Sequence, residues 1–315
     1  MTGKRKERKF LNGNFRAPMN LLNEKTLLID FSNIAWATFY TNQKITKDKS
    51  LSQAQINQHW KYLMLNSIQR LKIKHRPIET IICFDSYSWR KKYFQFYKAR
   101  RELTKKKSKM DYKAFKETIQ EIYEDLIEYF PYKVCRAQWA EADDIIAVLV
   151  HHLRNTGNIL IIASRDKDFK QLLSSGVRLW DTQDWKWIKC EHPKTYLIKH
   201  ILMGDAGDDV PNVRSDDDTF ITEGKRQKAC GAKGVEKILV EGLEEFIRRE
   251  GLLANFRRNK RLIRLTKSTI PGKVWNAVID DYDAQETQKG NYMLLAKYFS
   301  ENRMRRLQKS IDKFF

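Results

Sequence analysis

The sequence predicts an α/β fold in which a central, mostly parallel sheet is flanked by helices and followed by a helical C-terminal region. Two observations favour this class. Apolar runs without polar alternation occupy residues 26–30, 79–85 and 158–164, which is typical of strands buried on both faces. Helical segments separate these runs, and such an alternation of strands and helices indicates a parallel sheet.

The elements follow in a regular order along the first half of the chain. Residues 51–74 are predicted as a helix that leads from the first strand to the second. A further helix is predicted at 141–155, where apolar residues recur at helical spacing from Ile145 to Leu153. The other predicted elements of this half are a helix at 112–129 and a short strand around 132–136.

The pattern changes in the second half of the chain. A β-hairpin is indicated at 177–188, where two short apolar segments bracket a polar turn. Helices are predicted at 193–203 and 235–249, and a turn-rich segment begins at Gly204. The remainder alternates basic and apolar residues in a helical manner.

Positive charge is concentrated in three segments. The 315 residues include 60 Lys and Arg against 39 Asp and Glu, which gives a formal net charge of +21. Residues 1–25, 86–113 and 223–275 carry net charges of +5, +9 and +8, so the rest of the chain is nearly neutral. Basic segments on a nearly neutral body indicate contact with a polyanion such as nucleic acid or an anionic membrane.

Several classes of protein are excluded by composition. No apolar stretch approaches the roughly 20 residues that span a bilayer, so no membrane helix is expected. The basic start lacks the apolar core of a secretory signal, and a cytoplasmic protein is therefore expected. The four cysteines include no C-x-x-C pair, so neither a zinc site nor a disulfide framework is predicted.

Acidic side chains stand where the predicted strands end. Asp30 and Asp85 end the first two strands, and Asp166 follows the third. Because ligands bind outside the carboxyl ends of the strands in an open α/β sheet, these side chains should meet at one edge. Further acids of the same expected cluster are Glu141, Asp143, Asp144, Asp168, Asp205, Asp208 and Asp209.

A divalent cation is the partner that this cluster predicts. Any one of these acids taken alone is more often a cap or turn residue, but carboxylates gathered together repel one another unless a cation neutralises them. Oxygen ligands without His or Cys indicate Mg²⁺ or Mn²⁺ rather than zinc. Two such ions about 3.5–4 Å apart fit the hydrolysis of a phosphodiester.

Five motifs of the chain resemble those of the 5′-nuclease superfamily, which includes flap endonucleases, the 5′-nuclease domain of bacterial DNA polymerase I and, as the most similar branch, phage ribonuclease H. The motifs are Leu28–Asn33, Cys83–Asp85, Glu141–Asp144, Ser164–Phe169 and Gly204–Asp209. The resemblance implies a 5′-nuclease or PIN-like fold and a hydrolase that uses two Mg²⁺ ions, for which Mn²⁺ can substitute.

The resemblance also divides the acids between the two ions. It implies that the first ion is surrounded by Asp30, Asp85, Glu141, Asp143 and Asp166. It places Asp168, Asp205 and Asp208 around the second ion. Asp144 and Asp209 rank lower as ligands.

The most basic segment, residues 86–113, matches the arch or bridge that this family places over the active site. Arg90 and Lys98 would grip the scissile phosphate as the catalytic cations. The segment interleaves cations with aromatic residues, as expected for a groove that holds phosphates and stacks bases. The nucleic-acid contacts expected within it are Trp89, Lys91 and Arg101.

The later basic segment matches the duplex-binding region of the family. The resemblance implies a helix–turn–helix with a Gly-rich loop, in which Lys233 and Lys237 contact duplex phosphates. A potassium site at Gly231–Gly234 is left open. We therefore expect a basic N-terminal tail at 1–24, an α/β nuclease domain at 25–190 and a helical duplex-binding region at 191–306.

The last residues, 307–315, have the pattern Q-x-x-h-x-x-a-a and resemble a sliding-clamp-binding peptide. Its expected contacts are Gln308, Ile311, Phe314 and Phe315. The alternative is a C-terminal helix that packs on its own domain.

The function implied by the resemblance is that of a 5′-to-3′ exonuclease and flap endonuclease that acts on RNA–DNA hybrids and on duplex or 5′-flap DNA. Such an enzyme removes RNA primers from lagging-strand fragments in phage replication. Expected partners are these nucleic acids, the sliding clamp and a single-stranded-DNA-binding protein, with a monomeric chain in the host cytoplasm. Two alternatives are a catalytically inactive protein that binds branched DNA and a PIN-type ribonuclease, although the latter class is shorter and lacks the arch.

Overall fold

The structure, a computed structural model, describes residues 24–42, 44, 50–107, 111–286 and 290–315. The basic tail expected at 1–24 lies outside the described residues apart from Glu24. Residues 108–110 of the expected arch also lie outside them.

Six strands form one sheet in the order β3-β2-β1-β4-β5-β6. They are β1 (Lys25–Asp30), β2 (Glu79–Cys83), β3 (Lys133–Cys135), β4 (Ile159–Ala163), β5 (Val177–Asp181) and β6 (Lys186–Ile188). All neighbouring strands are parallel except β5 and β6, which form the predicted hairpin. The predicted α/β class with a mostly parallel sheet is thus confirmed.

Helices connect the strands and make up most of the remaining chain. The described helices are α1 (Phe31–Thr41), α2 (Gln53–His75), α3 (Arg90–Tyr93), α4 (Ala99–Lys107), α5 (Tyr112–Tyr129), α6 (Ala142–Leu153), α7 (Pro193–Met203), α8 (Ala232–Glu241), α9 (Leu243–Arg249), α10 (Leu253–Ile263), α11 (Gly272–Asp283), α12 (Tyr292–Glu301) and α13 (Arg305–Gln308). Short 3₁₀ helices occupy Lys167–Leu172 and Ile311–Phe314. None of the helices among the described residues is long and apolar enough to cross a membrane.

Both faces of the sheet are buried along β1, β2 and β4, which is why these strands are mostly apolar. Side chains alternate between the two faces of a strand, so Leu27 and Ile29 of β1 face one core and Leu28 faces the other. Residues of α1, α2 and α5 cover the first face, and residues of α6 and α11 cover the second.

The end of the chain packs differently from the expected domain division. Residues 265–282 join the core on the α6 face of the sheet, and residues 295–314 join the core on the α2 face. The stretch from α7 to α10 contributes to two smaller cores, one around Leu202 and one around Ile201 that also includes Phe94 and Tyr97. The boundary predicted at 190 therefore separates elements that share the two main cores.

The predicted helix at 235–249 is interrupted at Gly242, which adopts a φ of 115° and separates α8 from α9. A side chain rarely adopts this conformation, so glycine is suited to the break. The helix–turn–helix expected in this region stays a prediction.

The C-terminal residues contradict the expectation of a free clamp-binding peptide. Ile311 is 3% exposed and Phe314 is fully buried, because both fill the core between α2 and α12. Gln308 donates a hydrogen bond to the carbonyl of Ala296 instead of projecting into solvent. Phe315 alone among the four expected contacts is exposed, at 44%. In the structure this segment packs on its own domain, as the alternative expects.

Candidate active site

A cavity of about 1310 Å³ opens at the carboxyl ends of the parallel strands. All eight acids expected as metal ligands line it: Asp30, Asp85, Glu141, Asp143, Asp166, Asp168, Asp205 and Asp208. The structure therefore brings together side chains that are separated by up to 178 residues, from 30 to 208, in the chain. Their role as ligands stays a prediction.

Asp30 is held at the bottom of this cavity by its place between β1 and α1. It caps α1 by accepting a hydrogen bond from the backbone N–H of Asn33, and the hydroxyl of Ser164 donates to its other oxygen at 2.8 Å. Burial, followed by the charge of Asp85, raises the pKa of Asp30 to about 7. The raised pKa indicates that the carboxylate of Asp30 lacks a compensating positive charge.

Glu141 and Asp143 enter the cavity from the first turn of α6. Asp85 accepts a hydrogen bond from the backbone N–H of Ala142 at 2.7 Å, which joins the end of β2 to this helix. Burial opposes the charge of Glu141, but Lys98 and Arg90 outweigh it and hold its pKa well below the ordinary range. Burial and the charges of neighbouring carboxylates both act to raise the pKa of Asp143.

A second group of acids comes from the turns after β4 and α7. Asp166 accepts a hydrogen bond from the backbone N–H of Asp168, and Asp205 accepts one from the N–H of Gly207 at 2.7 Å. Burial, then the charges of Asp166 and Asp205, raises the pKa of Asp168 well above its usual value. The turn that carries Asp205 requires Gly204, because a Cβ there would lie 2.4 Å from the carbonyl oxygen of Val210.

His200 is a member of this second group that the sequence analysis missed. It lies in the last turn of α7, and its ring stands between Asp168 and Asp205, 3.4 Å and 3.3 Å from their nearest oxygens. The hydrogen bond from His200 contributes to a pKa of about 2 for Asp205, against the opposing effect of burial. In the sequence, the sign that His200 belongs to this group is that it lies five residues before Asp205.

Lys98 is the cation placed most directly among the acids. Its ammonium lies 2.6 Å from Glu141 Oε1 and 3.5 Å from Asp208 Oδ2. Burial disfavours its charge, but Asp208 and Glu141 outweigh this effect and raise the pKa of Lys98. The hydroxyl of the neighbouring Tyr97, which the sequence analysis also missed, lies between the two acids, 3.0 Å from Glu141 and 2.8 Å from Asp208, and shares its single proton between them.

Arg90, predicted as a phosphate-gripping cation, is buried and bonded within the protein. It is 1% exposed, and its guanidinium donates to both oxygens of Asp144, to Glu141 and to the carbonyl of Leu262. These bonds use the donors that a phosphate would need. These bonds hold the start of α6 in place, and the contact of Arg90 with the scissile phosphate stays a prediction.

Trp89 is also buried within the protein. It is 5% exposed, and its indole N–H donates to Asp144 at 3.0 Å. The ring packs in the core on the α6 face, and its contact with nucleic acid stays a prediction. The remaining expected nucleic-acid contacts, Lys91, Arg101, Lys233 and Lys237, have side chains that reach solvent.

The two lower-ranked acids have partners within the protein. Asp144 is fully buried on Arg90, and Asp209 is 1% exposed and accepts from the backbone N–H and guanidinium of Arg100. Arg101, in contrast, is half-exposed at the cavity rim and pairs with Asp208 at 2.6 Å. Lys98, Arg100 and Arg101 of the segment 86–113 line the cavity and contact acids in its lining, and among them Lys98 and Arg101 pair with the expected metal ligand Asp208.

The donor set fits divalent metal ions. Carboxylates with raised pKa values share the cavity and are not neutralised by the cations around them. Two groups of potential ligands approach closely enough to bind one ion each, Asp168 with His200 and Asp205, and Glu141 with Asp143 and Asp144. In the second group both oxygens of Asp144 are bonded to Arg90, whereas Glu141 and Asp143 line the cavity.

With this geometry established, the chain can be compared with known proteins. Residues 25–197 match the family of the 5′-3′ exonuclease, N-terminal resolvase-like domain. The chain belongs to this family. The match covers the whole sheet and the acids up to Asp168, while the turn that carries Asp205 lies beyond it.

Individual relatives extend the comparison to nearly the whole chain. The "Ribonuclease H" of Enterobacteria phage T4 is 27% identical over 303 residues, which cover 92% of this chain and 96% of that protein. A "5'-3' exonuclease" of Buchnera aphidicola is 27% identical over 198 residues, with 59% of this chain and 64% of that protein covered.

Among solved structures, the T5 D15 protein crystallised with metal ions has a TM-score of 0.58 at 17% identity, covering 89% of this chain and 99% of that one. A complex of the T5 D15 flap endonuclease with DNA and metal ions has a TM-score of 0.57 at 16% identity, covering 89% and 98%. These similarities concern the fold.

Proposed function

We propose that the chain is a divalent-metal-dependent 5′-to-3′ nuclease that hydrolyses phosphodiesters in RNA–DNA hybrids and at the 5′ ends and flaps of duplex DNA. The observation that carries this proposal is the convergence of eight acids at one sheet edge beside Lys98 and Arg101. The family membership and the T4 relative named "Ribonuclease H" support the same activity. Removal of RNA primers during phage replication, in the host cytoplasm, is the role that this activity would serve.

In this proposal acidic residues bind the metal ions and basic residues bind the phosphates of the substrate. Two bound divalent ions, for which Mg²⁺ is proposed and Mn²⁺ can substitute, would activate a water molecule and stabilise the leaving oxygen. Asp30, Asp85, Glu141, Asp143 and Asp166 are proposed to hold one ion, and Asp168, Asp205 and Asp208 the other. The Tyr97 hydroxyl, within hydrogen-bond distance of both Glu141 and Asp208, orients these two acids.

Lys98 is proposed to contact the scissile phosphate. Its ammonium pairs with Glu141 and Asp208, which are acids that bound ions would neutralise in its place. Lys98 would then be available for a phosphate oxygen, with Arg101 beside it at the rim. Arg90 is not assigned to this step, because its donors are used within the protein.

Duplex binding is assigned to the exposed basic residues after α7. Lys233 and Lys237 lie on α8, whose first residue follows Gly231, and neither is paired with an acid among the described residues. Phosphate contacts of this kind position a duplex without reading its sequence. The C-terminal peptide does not enter the proposal, because Ile311 and Phe314 are buried.

The test is cleavage of RNA–DNA hybrid and 5′-flap substrates labelled at the 5′ end, with and without Mg²⁺. The variant Asp143→Asn should lose at least about a thousandfold in cleavage rate while duplex binding stays within threefold, because one ligand is removed without changing the basic surface. The matched control Asp283→Asn replaces an acid that is 55% exposed and should behave as wild type.

Two outcomes would contradict the proposal. If Asp143→Asn cleaves normally, the metal assignment is wrong. If the wild-type chain binds flap DNA but cuts neither substrate with Mg²⁺ or Mn²⁺, the alternative of a catalytically inactive branched-DNA-binding protein is correct.

A further inference from the structure

His200 occupies an unusual position for a side chain in a cavity of carboxylates. Its side chain is 13% exposed, and its two ring nitrogens face different acids, Nδ1 towards Asp168 Oδ1 at 3.4 Å and Nε2 towards Asp205 Oδ2 at 3.3 Å. The Nδ1 atom is buried and has no hydrogen-bond partner among the described residues. A buried nitrogen without a partner is costly unless something else occupies the space before it.

The two ring nitrogens differ in their surroundings. Nε2 lies beside Asp205, whereas the buried Nδ1 makes no hydrogen bond to Asp168 Oδ1, although the two atoms are 3.4 Å apart. An imidazole nitrogen and a carboxylate oxygen both offer lone pairs, so two such atoms at this distance leave a place for a cation that both can bind.

The spacing fits a metal ion in that place. Nitrogen and oxygen ligands lie about 2.0–2.2 Å from a first-row metal ion, so two of them at the usual angles are separated by roughly 3.0–3.4 Å. Asp168, His200 and Asp205 each offer an atom within 4.8 Å of the others. A histidine that binds a metal through one nitrogen typically has a carboxylate beside the other, and Nε2 of His200 lies 3.3 Å from Asp205 Oδ2.

We infer that His200 Nδ1 is a direct ligand, together with Asp168, of the ion held by the second group of acids, and that this site therefore selects a first-row transition ion such as Mn²⁺ over Mg²⁺. Mg²⁺ strongly prefers oxygen ligands and gives up its water reluctantly, whereas first-row transition ions accept imidazole nitrogen. The inference rests on the proposed metal site, although it does not require that the chain cleaves nucleic acid.

The experiment uses the full-length chain with Mn²⁺ as the probe and pulsed electron paramagnetic resonance as the measurement. A directly bound imidazole should give a ¹⁴N coupling on the Mn²⁺ signal of the wild-type protein. The variant His200→Gln should lose this coupling. The control His59→Gln changes a histidine of α2 that lines a separate cavity, and it should keep the coupling.

Metal affinities give a second readout that a purely structural role of His200 would not produce. We expect His200→Gln to weaken the binding of one Mn²⁺ ion by about 10–100-fold while Mg²⁺ affinity changes less than threefold. A change of equal size for both ions would overturn the selectivity.

Absence of ¹⁴N coupling in wild-type protein with Mn²⁺ bound would refute the ligand assignment, even if His200→Gln fails to fold. It would favour a protonated His200 that merely bridges the two acids. A coupling that survives in His200→Gln would refute it equally. Cleavage assays are separate: a chain that shows the coupling but cuts no substrate refutes the nuclease proposal alone, and active protein without the coupling refutes this inference alone.

Discussion

Replacing Arg90 by glutamine distinguishes a side chain that holds the site together from one that acts on the substrate. The guanidinium donates hydrogen bonds to Asp144, Glu141 and the carbonyl of Leu262, and glutamine can replace only a small part of them. Asp144 is fully buried and would keep its charge without a cation. Breaking a buried ion pair by removing one partner costs about 3–5 kcal/mol.

Urea unfolding at pH 7 measures this cost. With a slope of about 3 kcal/mol per molar urea for a chain of this size, the expected loss moves the unfolding midpoint down by roughly 1–1.7 M. The loss is a large fraction of the about 5–15 kcal/mol that stabilises a typical domain. The control Lys91→Gln should cost less than about 1 kcal/mol, because Lys91 is 32% exposed and its nearest acid lies at 4.0 Å.

A second variant separates the ion pair from other effects of the substitution. The double variant Arg90→Met/Asp144→Leu removes the buried carboxylate together with its partner. It should therefore recover part of the stability that Arg90→Gln loses. The reasoning is refuted if Arg90→Gln unfolds within about 1 kcal/mol of wild type yet loses cleavage, because Arg90 would then act on the phosphate as the motif alone suggested.

Three further predictions concern other parts of the fold. Phe314→Ala should lower the free energy of unfolding by about 3–5 kcal/mol, whereas Phe315→Ala, at a side chain 44% exposed, should cost about 1 kcal/mol or less; equal costs in thermal unfolding would contradict the packed C-terminus. Burial lowers the pKa of His75 to about 4, so the unfolded chain takes up its proton first and stability falls as pH drops from about 6.5 to 4. His75→Leu should reduce this fall in urea midpoints, and an unchanged pH dependence would contradict it. Gly204→Ala should destabilise the turn by about 1–3 kcal/mol and weaken Mn²⁺ binding in calorimetry, because φ is 70° and a Cβ would meet the backbone of Val210; unchanged binding would show that the turn tolerates the change.

The sequence by itself determined the fold class and the position of the acids. Both depend on local features: an apolar strand reveals its burial through its own residues, and Asp30 or Asp85 follows such a strand directly. Since parallel strands present their carboxyl ends at one edge, the convergence of these acids follows from the order of elements alone.

Only the tertiary structure decided which of the charged and aromatic side chains face the cavity. Arg90 and Lys98 lie in one basic segment, but the carbonyl of Leu262, 172 residues further on, helps to enclose the first and not the second. The same holds for Phe314, which is buried by Phe130 and Phe299, and for His200, whose partners come from two different turns. Burial and pairing are set by contacts between distant segments, and a local pattern of residue types carries no record of them.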